Sequence, residues 1–545
     1  MPQADVVLRG EHIITMEPDP NKVRVVAVKD DRIVYTGADP MAQWRVGPGT
    51  RIVDLDEQAL VPGLIDAHGH FSATASTIDF VNLASPPVGR VRSIGEVIAA
   101  LKDRLATKPP APGKWLLGFG YDDSLLQELR HPDRDDLDQV SAEVPILIMH
   151  VSGHLAAVNS AALAAAGIDA KTPDPAGGVI RRRAGNLEPN GVLEEAAAMN
   201  LMRARTLDAA GSEFARQLDD AAELYASHGI TTAQDGAISP AAVAAYRATL
   251  EGHTLPIDVV GYVHSATLDR RTFEDLRVES TYHNGFRVGG IKFTLDGSPQ
   301  GRTAWLSQPY DEGPPGVPSN YVAYPTMLPD EYRARVAQCL HRKLPVLVHA
   351  NGDAAIDLLI DGVRRAITAE PAPDHRTVAI HAQLMRADQL DAAKELGIVP
   401  SFFSAHTFFW GDWHLRSFGT KRGENISPTG WARQRGMRFT VHNDAPVVPP
   451  DMMRLLWATV NRQTRSGHLI GAEQRISALE ALRAMTLDAA WQYFEEDEKG
   501  SIAVGKRADL VILGADPTDV APDQLADIEV IETFARGRSV YRRPH

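Results

Sequence analysis

The stretch LVPGLIDAHGH, residues 60–70, runs a short apolar strand directly into two histidines. Residues i and i+2 of a strand point to one face, so His68 and His70 can converge on one ion where the strand stops. Alone, an H-x-H pair is weak evidence, because surface and core histidines also fall at that spacing. The rest of the chain adds weight. Seven further apolar runs come in order: GITTAQDG (229–236), PIDVVGYVH (256–264), GGIKFTLDG (289–297), LPVLVHANG (344–352), TVAIHAQ (377–383), GIVPSFFS (397–404) and MRFTVHND (437–444). Amphipathic segments such as RARVAQCLHRK and LDAAKELG lie between them. Eight strand–helix units predict an α/β fold, a closed (β/α)8 TIM barrel, with reactive groups at the C-terminal strand ends.

Residues 69–228 separate the first two runs, far more than the roughly 2–6 residues of an ordinary βα loop. They hold their own strands (KWLLGFGYDD, VPILIMHVSG) and helices (NSAALAAAG, EEAAAMNLMRAR). Residues 72–205 are therefore expected to form a large inserted subdomain covering the active-site face. The N-terminal runs ADVVLRG, KVRVVAVKDDRIVYTG and TRIVDLDEQALVP alternate with period two, and GSIAVGKRADLVILG and DIEVIETFARGRSVY repeat that texture at the other end. Residues 1–60 and 497–545 are expected to meet in a small composite β-sandwich. That leaves 61–71 and 206–496 for the barrel.

At 545 residues the chain exceeds one ordinary core. Its 44% apolar and 23% charged residues fit a globular enzyme. A net charge of -14 argues against nucleic acid or an anionic membrane as partner. No window approaches the roughly 20 apolar residues of a membrane span. The start, MPQADVVLRGEHIITM, lacks the basic-then-apolar layout of a signal peptide. The one cysteine, Cys339, excludes an internal disulfide and reads as a small buried helix residue. A cytoplasmic protein with a small-molecule substrate is the expectation.

Polar residues stand where the apolar runs end. His349 closes the fifth run and His381 the sixth. One such histidine is more often a hydrogen-bonded core residue. Two on adjacent strands opposite an H-x-H shift the reading toward zinc-like ligands. Asp444 closes the eighth run in FTVHNDAP, as a ligand and proton acceptor or as a turn aspartate before Pro446. His442 shares its face. Lys292 interrupts the fourth run, where its charge must be desolvated or reach a polar cavity. The plain reading is a snorkelling lysine or a salt bridge to Asp296. The sharper one is an amine of depressed pKa that captures carbon dioxide as a metal-bridging carbamate. Spacing alone does not choose between them.

Substrate-contact candidates are Tyr121, Asp122 and His154 from the insert, Gln300 and Arg302 after the fourth run, and Phe402, His406 and Trp410 after the seventh. The last three sit with Phe403, Phe408 and Trp413 in a glycine-containing aromatic loop, which packs equally well under the insert. Aromatics at the mouth would favour an apolar or aryl substituent over a charged one.

The order H-x-H, Lys, His, His, Asp on strands one, four, five, six and eight resembles the amidohydrolase superfamily. VPGLIDAHGH and EKGSIAVGKRADLVIL resemble its opening and closing signatures. VNSAAL, KFTLDGSPQGRTA, VHANGDAAID and HTFFWGDWH resemble its YtcJ-like branch, which includes N-substituted formamide deformylases and exoenzyme regulators. The resemblance spans essentially the whole chain. It implies metal ligation by His68, His70, His349, His381 and Asp444, with Asp444 also the general base. It implies two Zn2+ bridged by carbamylated Lys292, with His381 or a neighbour steadying the oxyanion. Two departures, Asn443-Asp444 for the usual Ser-Asp and Ser298-Pro299-Gln300-Gly301 for a glycine–serine run, fall near the pocket.

The implied activity is hydrolysis of a C–N bond in a small amide, N-formyl or lactam-like compound by metal-activated hydroxide. A mononuclear deaminase would want a glutamate near His349, where Ala350-Asn351-Gly352-Asp353 stand. Ester or lactone hydrolysis on the same fold stays open. A non-catalytic regulatory binding protein would be free to lose ligands that this chain keeps. Size and resemblance are compatible with a homodimer.

Overall fold

The computed structural model describes all residues except 1–2, 19–21, 39–45, 207–211, 315 and 545. Eight strands form one parallel sheet: β1 (Leu64–Ile65), β2 (Ile230–Ile238), β3 (Asp258–His264), β4 (Phe286–Thr294), β5 (Val346–Ala350), β6 (Val378–His381), β7 (Val399–Phe402) and β8 (Thr440–Val441). Each pairs with its neighbour in chain order. The seam between β8 and β1 is tied just beyond the strands. There Asp444 N–H donates to the His68 carbonyl at 3.1 Å and His70 N–H to the Ala445 carbonyl at 2.7 Å. This is a TIM-like α/β barrel, and every one of the eight apolar runs supplies a strand.

Parallel strands covered on both faces bury every side chain, so they read as unbroken apolar runs. Alternation then sorts the two faces. Val260, Tyr262, Leu347, Val378, Ile380 and Val399 fill the barrel interior against Tyr493. Val259, Val263, Val346, Val348 and Ala379 pack outward with the helices. Inward parity also sends Lys292 and His349 to the interior. His381 breaks it: alternation groups it with outward Ala379, but its φ of 70° re-aims the chain.

Two smaller sheets use both ends of the chain. Val6–Arg9, Val25–Lys29, Arg32–Gly37 and Arg51–Asp54 form one. His12–Ile13, Ala59–Pro62, Leu510–Leu513, Val530–Ala535 and Arg538–Arg542 form the other. They share a core containing Leu8, Val26, Val28, Leu60, Leu510, Ile512 and Phe534. Between β1 and β2 a six-stranded sheet runs from Val81–Asn82 to Pro189–Glu195. Its Ile146 and Ile148 pack with Ile94, Val97 and Leu101 of the helix Ile94–Thr107.

One expectation is corrected. The aromatic segment after β7 is not a loop but the helix His406–Gly423, kinked at Gly419 (φ 69°). Thr407, Phe409, Trp410, His414, Ser417 and Phe418 are all buried. A helix covered on most of its circumference has no polar face to reveal its period. Cys339 is buried in the helix Pro329–His341, and burial pushes its thiol up to about 12. No helix among the described residues is long and apolar enough to cross a membrane.

At the opposite end of the barrel, Asp258 opens β3 and gathers three cations. Lys499 Nζ lies 2.5 Å away, Arg536 2.6 Å and Arg507 3.0 Å. Burial alone would raise the Asp258 carboxyl, but Lys499, Arg536 and Arg507 together hold it below its usual value. A depressed pKa stabilises the fold above the unfolded-state value, and the contribution is lost as pH falls through the folded one. Asp258→Asn is expected to cost about 3–5 kcal/mol in chemical denaturation at pH 7, by leaving buried cations under-paired. The gap to wild type should narrow below about pH 4. An unchanged midpoint would show that the cluster contributes nothing.

Candidate metal centre

The strand ends bring six polar residues together. Lys292 Nζ lies 3.0 Å from His68 Nε2. Asp444 Oδ1 lies 3.5 Å from His68 Nε2 and 3.3 Å from His70 Nε2. His381 Nε2 is 3.1 Å from His349 Nδ1, and its Nδ1 is 3.9 Å from Asp444 Oδ2. All are buried except His70, whose side chain is 29% exposed. His381 and Asp444 both take left-handed backbone (φ 70° and 59°), a conformation that costs energy for a side chain and clusters at working sites.

Partners outside the cluster orient the rings. Gln234 donates its amide to the Ala67 carbonyl at 2.9 Å and to the Tyr493 hydroxyl at 2.8 Å. Its Oε1 therefore faces His68 Nδ1 and accepts that N–H. The tautomer assigned from these partners leaves His68 Nε2 a lone pair aimed inward. Asp444 Oδ1, opposite it, has no hydrogen-bond partner among the described residues. His349 Nε2 has two acceptors beside it, the Gly297 carbonyl at 3.1 Å and Asp296 Oδ1 at 3.4 Å, while the nearby Asn351 amide nitrogen (3.0 Å) gives its own N–H to the Gly297 carbonyl at 2.9 Å. These favour Nε2–H and open Nδ1 toward His381. The other nitrogen of His381 is engaged by His442 at 3.1 Å, which Ser401 holds in turn.

Electrostatics agree with this geometry. Burial drives the pKa values of His68, His349 and His381 well below the usual imidazole range and takes His442 to about 3, so the rings are neutral. Burial brings Lys292 down to about 7. Burial would raise Asp444, but His70, His442 and Lys292 outweigh it and keep the carboxylate ionised. Neutral imidazoles and an anionic oxygen are what a divalent ion needs. The separations fit as well. Ligands at about 2.0–2.1 Å around one zinc-like ion stand about 2.9–3.4 Å apart.

Lys292 neither snorkels nor pairs with Asp296. The Asp296 carboxylate accepts the backbone N–H groups of Asn351 (3.0 Å), Gly352 (2.7 Å) and Trp305 (3.0 Å), pinning the loops after β4 and β5.

The substrate-contact candidates divide. His154 stands 5.1 Å from the His349 ring and gives Nδ1 to Glu195 at 2.7 Å. Gln300 reaches His406 at 3.2 Å, and His406 reaches His414 at 2.7 Å. Trp410 donates its indole N–H to Asp122 at 2.6 Å, joining helix to insert. Three candidates lie elsewhere. Tyr121 packs edge-on against His131 and His150 inside the insert. Phe402 faces outward onto Phe439, while its neighbour Phe403 faces His442 at 5.3 Å. Arg302 is taken by Ser417, Gly313 and Glu312 and stacks 4.0 Å over Trp413. Gln234 did not emerge from the sequence, and Asn351 and Phe403 were noticed there without a role at the site. A buried amide near the end of a barrel strand is the signal that marks Gln234.

Fold and donor cluster together define the class of metal-dependent barrel hydrolases. The chain belongs to the amidohydrolase family, whose sequence pattern matches residues 51–541. It is 28% identical to the N-substituted formamide deformylase of Arthrobacter pascens, over 99% of this chain and 98% of that one. It is 27% identical to the putative amidohydrolase YtcJ of Bacillus subtilis, over 98% and 99%. The fold is similar to that of an uncharacterized metal-dependent hydrolase from Pyrococcus horikoshii, with a TM-score of 0.73 at 23% identity over 95% of this chain and 99% of that one. The protein is a hydrolase acting on carbon–nitrogen bonds.

Gln234→Leu removes the group that fixes the His68 tautomer. Metal affinity measured by competition with a chelator should fall about 10–100-fold. Unchanged affinity would mean that His68 does not depend on Gln234 for its orientation.

Proposed function

We propose that the protein hydrolyses the carbonyl–nitrogen bond of a small N-formyl, N-acyl or lactam-like compound at a centre of two Zn2+ ions. His68, His70, His349, His381 and Asp444 would hold the ions, with Lys292 bridging them as its carbamate. The observation that carries this reading is the pair His68 Nε2 and Asp444 Oδ1. Both are acceptors, they face one space at 3.5 Å, and the carboxylate oxygen makes no well-aligned hydrogen bond among the described residues, with His70 Nε2 standing 3.3 Å from it. Lys292, lowered to about 7, has the neutral amine that carbamate formation requires. Its Nζ lone pair adds to the carbon of carbon dioxide and one proton leaves the nitrogen, so that a single negative charge is shared by two oxygens.

Divalent ions held there supply Lewis acidity, making water nucleophilic near neutral pH and polarising a carbonyl. The side chains do the rest. Asp444, ionised and unpartnered at Oδ1, accepts the proton of the attacking water and returns it to the leaving nitrogen. His381 is a poor oxyanion donor, since its nitrogens face His349 and His442. His154 is better placed for that role. Burial opposes its charge, but Glu195 holds its pKa above the usual value and fixes Nδ1–H, leaving Nε2–H for the developing oxyanion. The Trp410–Asp122 bond joins the helix after β7 to the insert beside the site. Asn351 stands where a deaminase would want a carboxylic acid, which favours hydrolysis of amides over deamination.

The test is a panel of N-alkyl and N-aryl formamides, acetamides and lactams, with matched esters and amino-heterocycles as controls. Amine release from the amide set is expected, with kcat lowered about 10²–10⁴-fold in Asp444→Asn. His154→Gln should lower kcat about 10²–10³-fold with metal content unchanged. Turnover confined to esters or to amino-heterocycles would contradict the reading.

A further inference from the structure

Between the insert and the segments after β7 and β8 lies a cavity of about 240 Å³. Phe80, Phe119 and Leu125 wall it on the insert side, and Phe409, Trp410 and Val447 on the barrel side. Val447 stands three residues beyond Asp444 and gives its N–H to the Asp444 carbonyl at 2.9 Å, which ties this wall of the cavity to the strand end that carries Asp444. Among the described residues one cation lines it, Arg465, in the segment after the helix Met452–Asn461.

Arg465 differs from the other sheltered arginines. Arg302, Arg376 and Arg462 each give several N–H groups to carbonyls or carboxylates. Arg465 makes no hydrogen bond or ion pair among the described residues, and its Nε is buried. Its guanidinium sits 5.4 Å from the centre of the Phe409 ring. A buried guanidinium N–H without an acceptor is unfavourable, and partial burial lowers the pKa of the cation. The nearby acids are otherwise committed. Asp122 accepts the Ser124 N–H and O–H and the Trp410 indole. Asp412 accepts from Thr464 and Ser466. They temper the field at Arg465 without satisfying its donors.

We infer that this cavity is a substrate-recognition subsite for an apolar, ring-sized group ending in a carboxylate, with Arg465 binding the carboxylate. Apolar walls take up the ring, and the guanidinium fork matches a carboxylate in bidentate geometry. The inference rests on the proposed hydrolase activity and deepens it. It also reverses the expectation that an uncharged substituent is preferred.

The direct test is calorimetric titration of the metal-loaded protein with 3-phenylpropionate and with its neutral isostere 3-phenylpropionamide. Arg465→Met, which keeps the apolar stem, and Arg465→Lys, which keeps the charge, are titrated alongside, with circular dichroism to verify folding. The carboxylate should bind more tightly than the amide and weaken about tenfold or more in Arg465→Met. Arg465→Lys should recover part of the loss, while amide binding stays within about twofold throughout. Equal binding of the two probes in wild type would overturn the inference. So would carboxylate binding that Arg465→Met leaves unchanged, which would place the carboxylate on the metal instead. If Arg465→Met does not fold, the wild-type comparison and Arg465→Lys decide. Because binding is read without turnover, a protein that hydrolyses no amide yet shows the Arg465-dependent difference would sink the proposed reaction and leave the subsite standing.

Discussion

Two acceptors face each other across the centre of the barrel mouth: His68 Nε2 and Asp444 Oδ1, 3.5 Å apart. Gln234 holds the proton of His68 on the far nitrogen, so no hydrogen bond can join them. A buried carboxylate oxygen left this way is unfavourable unless a cation comes between. Much of the surrounding structure maintains that arrangement. Tyr493 and the Ala67 carbonyl orient Gln234, and the seam bonds around His68, His70, Asp444 and Ala445 hold the two strand ends together. The left-handed backbone at Asp444 and His381 is the local cost of aiming both groups inward.

The barrel separates this site from what holds the chain together. At the N-terminal strand ends Asp258 draws in Lys499, Arg507 and Arg536 from the C-terminal segment. The insert and the helix His406–Gly423 meet through the Trp410–Asp122 bond, with an apolar cavity between them. Position and chemistry differ between the two places: acceptors stand together at the strand ends, while aromatic walls and one guanidinium line the cavity.

Most of the fold was legible in the sequence because parallel barrel strands are buried on both faces and appear as apolar runs. The polar residues that interrupt or end those runs lie together in the structure, since strand ends share one rim. What was not legible depended on single-residue geometry or long-range contact. Phe402 and Phe403 are adjacent, and only the register of β7 tells which faces His442. His381 reaches the interior through a left-handed turn that no periodicity signals. The helix after β7 carries no polar stripe. Arg302 looks like a substrate contact until Glu312 and Ser417 are seen to take its donors. Gln234 stands 166 residues from His68, and only the closed barrel brings them together.

The measurement closest to the central claim is metal content of the protein purified without chelator, in wild type and in Lys292→Ala. A bridged centre requires about two equivalents of divalent metal per chain, falling sharply in the variant. One equivalent that is indifferent to Lys292, or none at all, would contradict it.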